Sequence, residues 1–389
     1  MYLAESKGDA VKCMVISLYF LGLWPVVLAS LERRGRLPQH SYLDYTIANL
    51  LTSVLFALTF GQIGDPKPGT PNFITQLSQD NWPSVLFAMA GGIVLSVGNL
   101  SKQYAWALVG ISVVEVVSAS ITVVIGATLN YFLDGRINKA EILFSGVGCF
   151  LIASFLGAAV HKSNASDNKA KLISLSTDLE ELAGNNSDGT FAINNISESD
   201  SGPALFLVQL EEIRSIKVFG RNIWIGMAIT VFAGLCFSLF SPLFNVATND
   251  QFHYLKKGIP HLADYTAFFY YSISAFLVAF ILNIIFLYHP IMGLPKSSFR
   301  AYLRDRNERG SALFAGFLCG FGNGVQFMAG YASAGPLQVL PLVSTFWGVV
   351  IFREYTKSSR RTYVLLANTL LVFIAAVGIL MASAVQKKS

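Results

Sequence analysis

One acidic residue, Glu115, lies well inside a long apolar stretch of the sequence, from about residue 107 to 133. A carboxylate in such a stretch is unfavourable in a bilayer unless it faces a polar cavity or takes up a proton. Ser118 and Thr122 follow it at helical spacing and would form a polar stripe on the same face. We therefore predict that Glu115 binds substrate and carries a coupling proton. The alternative is a protonated side chain that bonds to a neighbouring helix.

Amide side chains occupy matching positions in two other apolar stretches. Asn99 and Asn323 each follow a glycine, with Gln103 four residues after the first and Gln326 three residues after the second. An amide carries both donors and acceptors, which suits a neutral heterocycle with N–H and C=O groups. These four residues are therefore candidates for substrate binding, and hydrogen bonds between helices are the alternative.

Further candidates lie next to prolines inside apolar stretches. Trp24 precedes a proline in the first stretch, Asn245 follows one in the sixth, and Gln338 and Thr345 flank one in the ninth. A proline in a membrane helix frees local backbone groups for a site. We predict that Trp24 stacks on a flat substrate, although tryptophan is also typical of the membrane interface. We predict substrate contacts for the other three.

Two aspartates begin equivalent segments of the chain. Asp44-Tyr45-Thr46 stands before the second apolar stretch, and the same three residue types recur at 264–266 before the seventh. Aspartate is a favourable cap for a helix start. Asp44 and Asp264 are therefore predicted to be caps or a symmetric pair of gates.

Several kinds of chemistry have no support in the sequence. The five histidines form no metal-binding motif, and each of the four cysteines lies in an apolar stretch. The segment 184–190 (GNNSDGT) lacks the lysine of a phosphate-binding loop, so ATP binding is not supported. The basic residues occur in short clusters between apolar stretches, which gives no nucleic-acid signal. We predict no enzyme activity, no metal and no cofactor, with a proton gradient as the energy source.

Apolar segments long enough to cross a bilayer account for most of the chain. The sequence is 53% hydrophobic and only 13% charged, about half the charge of a soluble domain. A bilayer core about 30 Å thick needs about 20 apolar residues in a helix. Ten segments satisfy this requirement approximately: 10–31, 45–63, 83–101, 107–133, 141–160, 223–247, 264–288, 311–332, 335–352 and 362–385. The fold class is an all-α polytopic membrane protein.

The chain divides into two related halves. A polar segment, 162–222, is predicted to be a cytosolic loop without structure, between a first five-helix repeat (1–161) and a second (223–389). Since each half has an odd number of helices, the second lies inverted in the membrane, as in many transporters.

The distribution of Lys and Arg predicts the orientation of the chain. Nineteen of the 28 lie in the odd-numbered connections, including Arg33, Lys102 and the cluster at 296–309. Basic loops remain on the cytosolic side, so we predict that both termini lie outside. No Lys or Arg is expected deep in a helix, and this favours a neutral substrate.

Four stretches of sequence carry a family resemblance: ERRGRLPQHSYLDYT (32–46), ITQLSQDNWPSVLFAMAGGIVLSVGNL (74–100), VVEVVSASITVVIGATLNYFLDGRIN (113–138) and IKVFG (216–220). In them the chain resembles the plant ureide permeases. The resemblance implies a drug/metabolite-transporter-like fold with ten helices. It also implies proton-coupled transport of allantoin and related oxo-heterocycles such as uracil, xanthine or hypoxanthine. Members have a nucleotide-binding motif in the central loop, from which this chain departs.

These observations predict a multi-pass transporter with alternating access around a site near the midplane. Its partners would be a small neutral heterocycle, protons and the lipid bilayer, and the plasma membrane is favoured over an internal membrane. A facilitative transporter and a non-transporting sensor of the same ligands remain alternatives. The sequence does not rank the heterocycles or define the oligomeric state.

Overall fold

A computed structural model of the chain describes residues 7–64, 71–133, 139–185, 198–219, 221–328 and 340–385. Within these residues all regular structure is helical. The helices are α1 (Lys7–Arg33), α2 (Pro38–Leu58), α3 (Phe73–Leu77), α4 (Trp82–Val109), α5 (Ile111–Leu133), α6 (Ala140–Asn185), α7 (Glu198–Ile213), α8 (Ile223–Thr248), α9 (Asp264–Tyr288), α10 (Phe299–Arg304), α11 (Arg309–Met328), α12 (Leu340–Val350) and α13 (Arg360–Val385).

Eight of the described helices are long and apolar enough to cross a membrane, namely α1, α4, α5, α6, α8, α9, α11 and α13. The chain is therefore a polytopic helical membrane protein, as the composition predicts. Two further predicted segments correspond to α2, which is more polar, and to α12, which has 11 residues. The predicted number of membrane helices, about ten, is therefore larger than the eight that meet this criterion among the described residues.

The central segment differs from its prediction as a loop without structure. Helix α6 continues from the membrane-spanning part to Asn185, and α7 follows from Glu198. Residues 186–197 lie outside the described residues. The sequence of 162–185 is polar but contains neither proline nor glycine before Gly184, so nothing in its backbone chemistry ends the helix at the membrane boundary.

Proline and glycine set several helix boundaries. Pro38 is the first residue of α2, where its missing N–H has no helical partner to lose. The Asn222 side chain accepts a hydrogen bond from the Trp224 N–H and caps α8. Gly110 has a φ of +94°, which favours glycine, and it ends α4 directly before α5 begins. The last turns of α4 and the first turns of α5 are thereby brought side by side.

Small residues bring the central helices together. Helix α4 packs against α8 and α9, and α11 packs against α1 and α2. A side chain at Gly98 of α4 would overlap Phe237 of α8, and one at Gly322 of α11 would overlap Leu21 of α1. Close approach through glycine is typical of membrane helices, where packing rather than hydrophobicity drives association.

The two ends of the bundle differ in charge. We call one the basic end; it contains Arg33, Arg36, Arg214 and Arg309. At the opposite end, the Gln76 side chain joins α3 to the segment before α9: it accepts from the Ala263 N–H and donates to the His261 carbonyl. Among the described residues, this end has fewer charged side chains than the basic end.

Candidate functional site

Glu115 is half of a buried ion pair. Its Oε2 lies 2.7 Å from Nζ of Lys102 on α4, and its Oε1 accepts a hydrogen bond of 2.9 Å from Trp106 Nε1. Glu115 is 2% exposed and Lys102 is 9% exposed. Lys102 precedes the end of α4 by seven residues, so at 1.5 Å per residue it lies roughly 10 Å inside the helix. The pair forms because the break at Gly110 places the end of α4 against the start of α5.

Lys102 overturns one expectation from the sequence. The sequence predicts Lys102 in a connection between helices and no Lys or Arg deep in a helix. The structure instead continues α4 through Lys102 to Val109, and that expectation is wrong. Lys102 and Gln103 interrupt the apolar stretch of the sequence. The helix nevertheless continues, because the Glu115 carboxylate pairs with the buried Lys102 ammonium.

Aromatic rings surround the ion pair. The Trp24 ring stacks on Tyr45, with centroids 5.1 Å apart and an interplanar angle of 28°. Trp24 also meets Trp106 edge to face at 5.5 Å. The sequence predicts that Trp24 stacks on substrate. Its ring contacts Trp106, and Trp106 in turn donates a hydrogen bond to the Glu115 carboxylate. The Lys102 ammonium lies 5.2 Å from the centroid of the Phe237 ring.

A sulfur and an amide from α11 connect to these rings. The Tyr45 hydroxyl donates to Sγ of Cys319 at 3.1 Å, and Nδ2 of Asn323 contacts the same sulfur at 3.5 Å. Five helices from both parts of the chain therefore contribute to one group of side chains. We call it the central cluster: Trp24, Tyr45, Lys102, Trp106, Glu115, Cys319 and Asn323.

Other predicted amides lie outside the central cluster. Nε2 of Gln103 donates to the Pro38 carbonyl, while its Oε1 is buried without a hydrogen-bond partner. Asn99 and Gln326 are half-buried and bond to no other described residue. Gln338 lies outside the described residues. For these residues substrate contact stays a prediction.

The polar side-chain atoms of Asn245 and Thr345 form hydrogen bonds to other residues of the protein. Asn245 lies near the opposite end of α8, where its amide exchanges two hydrogen bonds with Gln251, through the side chain at 2.9 Å and the backbone N–H at 3.2 Å. The Thr345 hydroxyl donates to the Ser112 carbonyl and ties α12 to α5. The prediction that either residue binds substrate is untested.

Comparison with known proteins decides the family of the chain. A family model described as ureide permease matches residues 41–383. Ureide permease 2 of Arabidopsis thaliana is 64% identical over 398 residues, and ureide permease 1 is 62% identical over 394, each covering all of both chains. Probable ureide permease A3 of Vigna unguiculata is 59% identical over 378 residues, which is 93% of this chain and all of that protein.

The chain belongs to the ureide permease family.

Its relatives are transporters, and the chain is accordingly a membrane transporter and not an enzyme. The described part of the permease contains no group of three or more His, Cys, Asp or Glu side chains that could hold a metal ion.

Asp44 of the permease belongs to an ion network at the basic end. Helix α2 begins at Pro38, so Asp44 lies in the second turn and does not cap the helix. Its carboxylate pairs with Arg36 and accepts a 2.7 Å hydrogen bond from the Tyr302 hydroxyl, and Arg309 lies 3.4 Å away. These partners come from three segments, so Asp44 joins α2 to α10 and to the start of α11. The gating role of Asp44 stays a prediction.

Asp264 differs from its counterpart. It lies in the first turn of α9, directly after the N-cap residue Ala263. A carboxylate there is favourable next to the positive end of the helix dipole. It pairs with no Lys or Arg among the described residues of the permease. The two aspartates therefore have similar sequence positions and different surroundings.

Glu354 connects the two parts of the permease at the basic end. Its carboxylate accepts hydrogen bonds from the backbone N–H groups of Ile111 and Ser112 at 2.7 and 3.1 Å, and from the Ser112 hydroxyl at 2.6 Å. It also pairs with Arg33 at 3.1 Å. A residue after α12 thus caps the start of α5, which carries Glu115. The sequence analysis missed this role.

Sequence reasoning also missed Lys102, Trp106, Tyr45 and Cys319. A signal was present for the first two: Asn99, Lys102 and Trp106 follow one another at spacings of three and four, which puts them on one helical face. No such signal existed for Tyr45 and Cys319, since they lie 274 residues apart and meet only through packing.

Proposed function

We propose that this chain transports allantoin and related oxo-heterocycles, such as uracil, xanthine and hypoxanthine, in symport with protons and by alternating access. Family membership supports a ureide substrate, because the relatives bear that name. The single observation that carries the proton coupling is the buried Lys102–Glu115 pair beside the aromatic rings of Trp24 and Trp106.

The chemistry of the pair provides a way to couple a proton to substrate. A proton that reaches Glu115 neutralises the carboxylate and frees the Lys102 ammonium, which has three donors and no acceptor. The freed ammonium can donate to a ring carbonyl oxygen, and the protonated carboxyl can both donate and accept. Release of the proton restores the pair and removes the donor from the substrate. Proton and substrate would therefore bind together and leave together.

A neutral, flat substrate suits this arrangement. Trp24 and Tyr45 provide aromatic faces, and half-buried Asn99 and Asn323 provide amide groups for the ring edge. An anionic substrate would need a cation that is not already balanced, whereas Lys102 is neutralised by Glu115 in the resting state. We assign no ATP-driven step, because the central segment lacks the lysine of a phosphate-binding loop.

Two inverted five-helix halves provide the framework of this proposal. In the two halves α4 corresponds to α11, α8 to α1 and α9 to α2. Helix α4 packs on α8, and their counterparts α11 and α1 also pack together. Helix α2 packs on its own counterpart, α9. Such symmetry supports alternating access by rocking of the two halves against each other. The basic end would face the cytosol, by the rule that basic loops stay inside, and the plasma membrane is the preferred location.

Uptake of labelled allantoin into cells that express the chain tests the proposal. Uptake is compared at external pH 5 and pH 8, with and without a protonophore. We expect accumulation that is higher at pH 5 and that collapses with the protonophore. The Glu115→Gln variant is expected to lose accumulation, while Glu212→Gln, an exposed residue on α7, serves as the matched control.

The possible outcomes separate the alternatives. Flux without dependence on the protonophore would indicate a facilitative transporter. Binding of labelled allantoin to purified protein, without uptake in cells where the chain reaches the surface, would indicate a sensor. Uptake of uracil or xanthine but not allantoin would change the substrate and leave the coupling proposal intact.

A further inference from the structure

A cavity at the basic end lies apart from the central cluster. It has a volume of about 550 Å³ and is bounded by α6, α7, the junction of α4 and α5, and the segment after α12. Ala107 and Gly110 are among its lining residues, so it reaches the turn between Trp106 and Glu115. Nothing in the proposed transport cycle uses this cavity.

The lining of the cavity has more positive than negative charge. It includes five Lys or Arg and two Glu residues: Arg33, Lys169, Arg214, Arg221, Arg353, Glu211 and Glu354. Arg33 pairs with Glu354, and Arg214 pairs with buried Glu32. Lys169 and Arg353 are exposed and form no ion pair with another described residue. Arg221 donates to the backbone carbonyl oxygens of Lys217 and Met292, which leaves Lys169 and Arg353 available to an anion in the cavity.

One ring nitrogen of a buried histidine in the wall of the cavity has no hydrogen-bond partner among the described residues. His161 of α6 is 7% exposed, and its ring bonds to the carbonyl of Val109. Its Nε2 is buried without a hydrogen-bond partner. A buried polar atom of this kind is unfavourable unless a ligand satisfies it. A phosphate oxygen can accept from a protonated Nε2, and a P–OH group can donate to a neutral one.

One side of the cavity is apolar, and further apolar side chains close to it in the sequence are exposed among the described residues. Phe206, Leu207 and Leu210 of α7 line the cavity. Ile213, three residues after Leu210, is 60% exposed. Trp224, in the first turn of α8 and two residues after the lining residue Asn222, is 66% exposed. A tryptophan at the end of a membrane helix is typical of the lipid interface. A ligand with a charged group in the cavity and an apolar part over α7 would satisfy both sides.

We propose that this cavity binds the phosphate of an acidic phospholipid, with Lys169, Arg353 and His161 as the groups that contact it. Basic pockets between membrane helices on the cytosolic side are known to accept anionic headgroups. The acyl chains would lie over α7. Because the ligand would contact the turn between α4 and α5, its binding would hold Trp106 and Glu115 in the paired arrangement.

Ligand-induced stabilisation of the purified full-length chain in a neutral detergent tests this proposal. The probes are dioctanoyl phosphatidic acid, dioctanoyl phosphatidylcholine and inorganic phosphate, and the readout is the midpoint of thermal unfolding. A ligand that binds the native state raises this midpoint in a saturable way. We expect phosphatidic acid to raise it by about 3 °C or more near saturation, and phosphatidylcholine to leave it unchanged.

A pair of double variants connects the effect to the cavity. Lys169→Ala with Arg353→Ala removes two exposed cations that pair with no acidic side chain in the described part of the chain, and we expect about tenfold weaker binding of phosphatidic acid from the loss of two charge-assisted contacts. Lys256→Ala with Lys257→Ala, at the opposite end of the bundle, makes the same change in net charge and should retain the full effect.

Each other result overturns the proposal. An absent shift with phosphatidic acid, or an equal shift in the two double variants, would remove the cavity as its site. An equal shift with phosphatidylcholine would show a general effect of lipid, and a full shift with inorganic phosphate would make a free anion the occupant. The assay does not involve transport, so a failure of the transport proposal would leave it unaffected.

Discussion

At the scale of single residues, Lys102 and Glu115 depend on each other. Both are buried, and a charge that loses its partner in such surroundings is strongly unfavourable, whereas removal of both charges together can be nearly neutral. Trp106 contributes to the same carboxylate through its indole N–H. The geometry therefore predicts energetic coupling between residues 102 and 115 that is independent of any transport role.

A double-mutant cycle measures this coupling. We expect Lys102→Met and Glu115→Gln each to lower the free energy of unfolding by about 3–5 kcal/mol, because each leaves one buried group unpaired. The double variant should recover much of this loss. The measurement is the thermal midpoint of the purified chain in detergent. A double variant whose loss equals the sum of the two single losses would contradict the ion pair, since unconnected sites add.

At the scale of helices, glycine positions determine how closely α4, α8, α9 and α11 approach. Gly92 of α4 faces the backbone of α9, and a Cβ atom there would overlap the Tyr271 carbonyl and the Ser274 hydroxyl. Ser274 also donates to the Met89 carbonyl, which fixes α9 against α4. The Tyr271 carbonyl belongs to the backbone, so a movement of the Ser274 side chain alone cannot relieve an added methyl group.

Two glycine substitutions compare a close contact with an open position. We expect Gly92→Ala to destabilise the fold by at least about 1–3 kcal/mol, the usual cost of overpacking. Gly148→Ala in α6 adds the same methyl where no other atom lies within 4 Å, and it should be neutral or slightly stabilising because alanine favours helix. The yield of folded protein after detergent extraction and its thermal midpoint report both. Equal stability of the two variants would refute the packing of α4 on α9.

At the scale of the whole molecule, the basic clusters come together at one end. Ion pairs join Arg33 to Glu354 and Arg214 to Glu32, and each pair connects segments that are distant in sequence. The clusters thus tie distant segments of the chain together and mark the end that we propose to lie in the cytosol. The opposite end is joined mainly through neutral groups such as Gln76.

Labelling with an impermeant maleimide tests the orientation. Lys257→Cys and Lys296→Cys place one exposed thiol at the opposite end and one at the basic end, from the same original residue type. In intact cells, we expect label on the first above the level of the unsubstituted chain, and none on the second until the membrane is permeabilised. The reverse pattern would place the basic end outside.

The sequence by itself determined the class of protein, most helix positions and the location of Glu115. Those properties depend on composition and on the helical repeat of apolar residues, and both can be recognised within about 20 residues of sequence. Helix α9 begins and ends at the predicted residues, and α8 differs by one residue at its end. The long continuation of α6 was not predicted, because its polar composition was interpreted as a loop although it lacks helix-breaking residues.

Only the tertiary structure decided which side chains meet. Lys102 and Glu115 lie 13 residues apart across a helix break, so no single helical period relates them. Tyr45 and Cys319, like Glu354 and the start of α5, belong to helices that are distant in the chain. Their contacts depend on which helix faces which and on the depth at which glycines allow close approach. A sequence pattern shows which face of a helix is polar or apolar, but it does not show which other helix packs against that face. The candidate site lies between packed helices, so its composition depends on the tertiary structure.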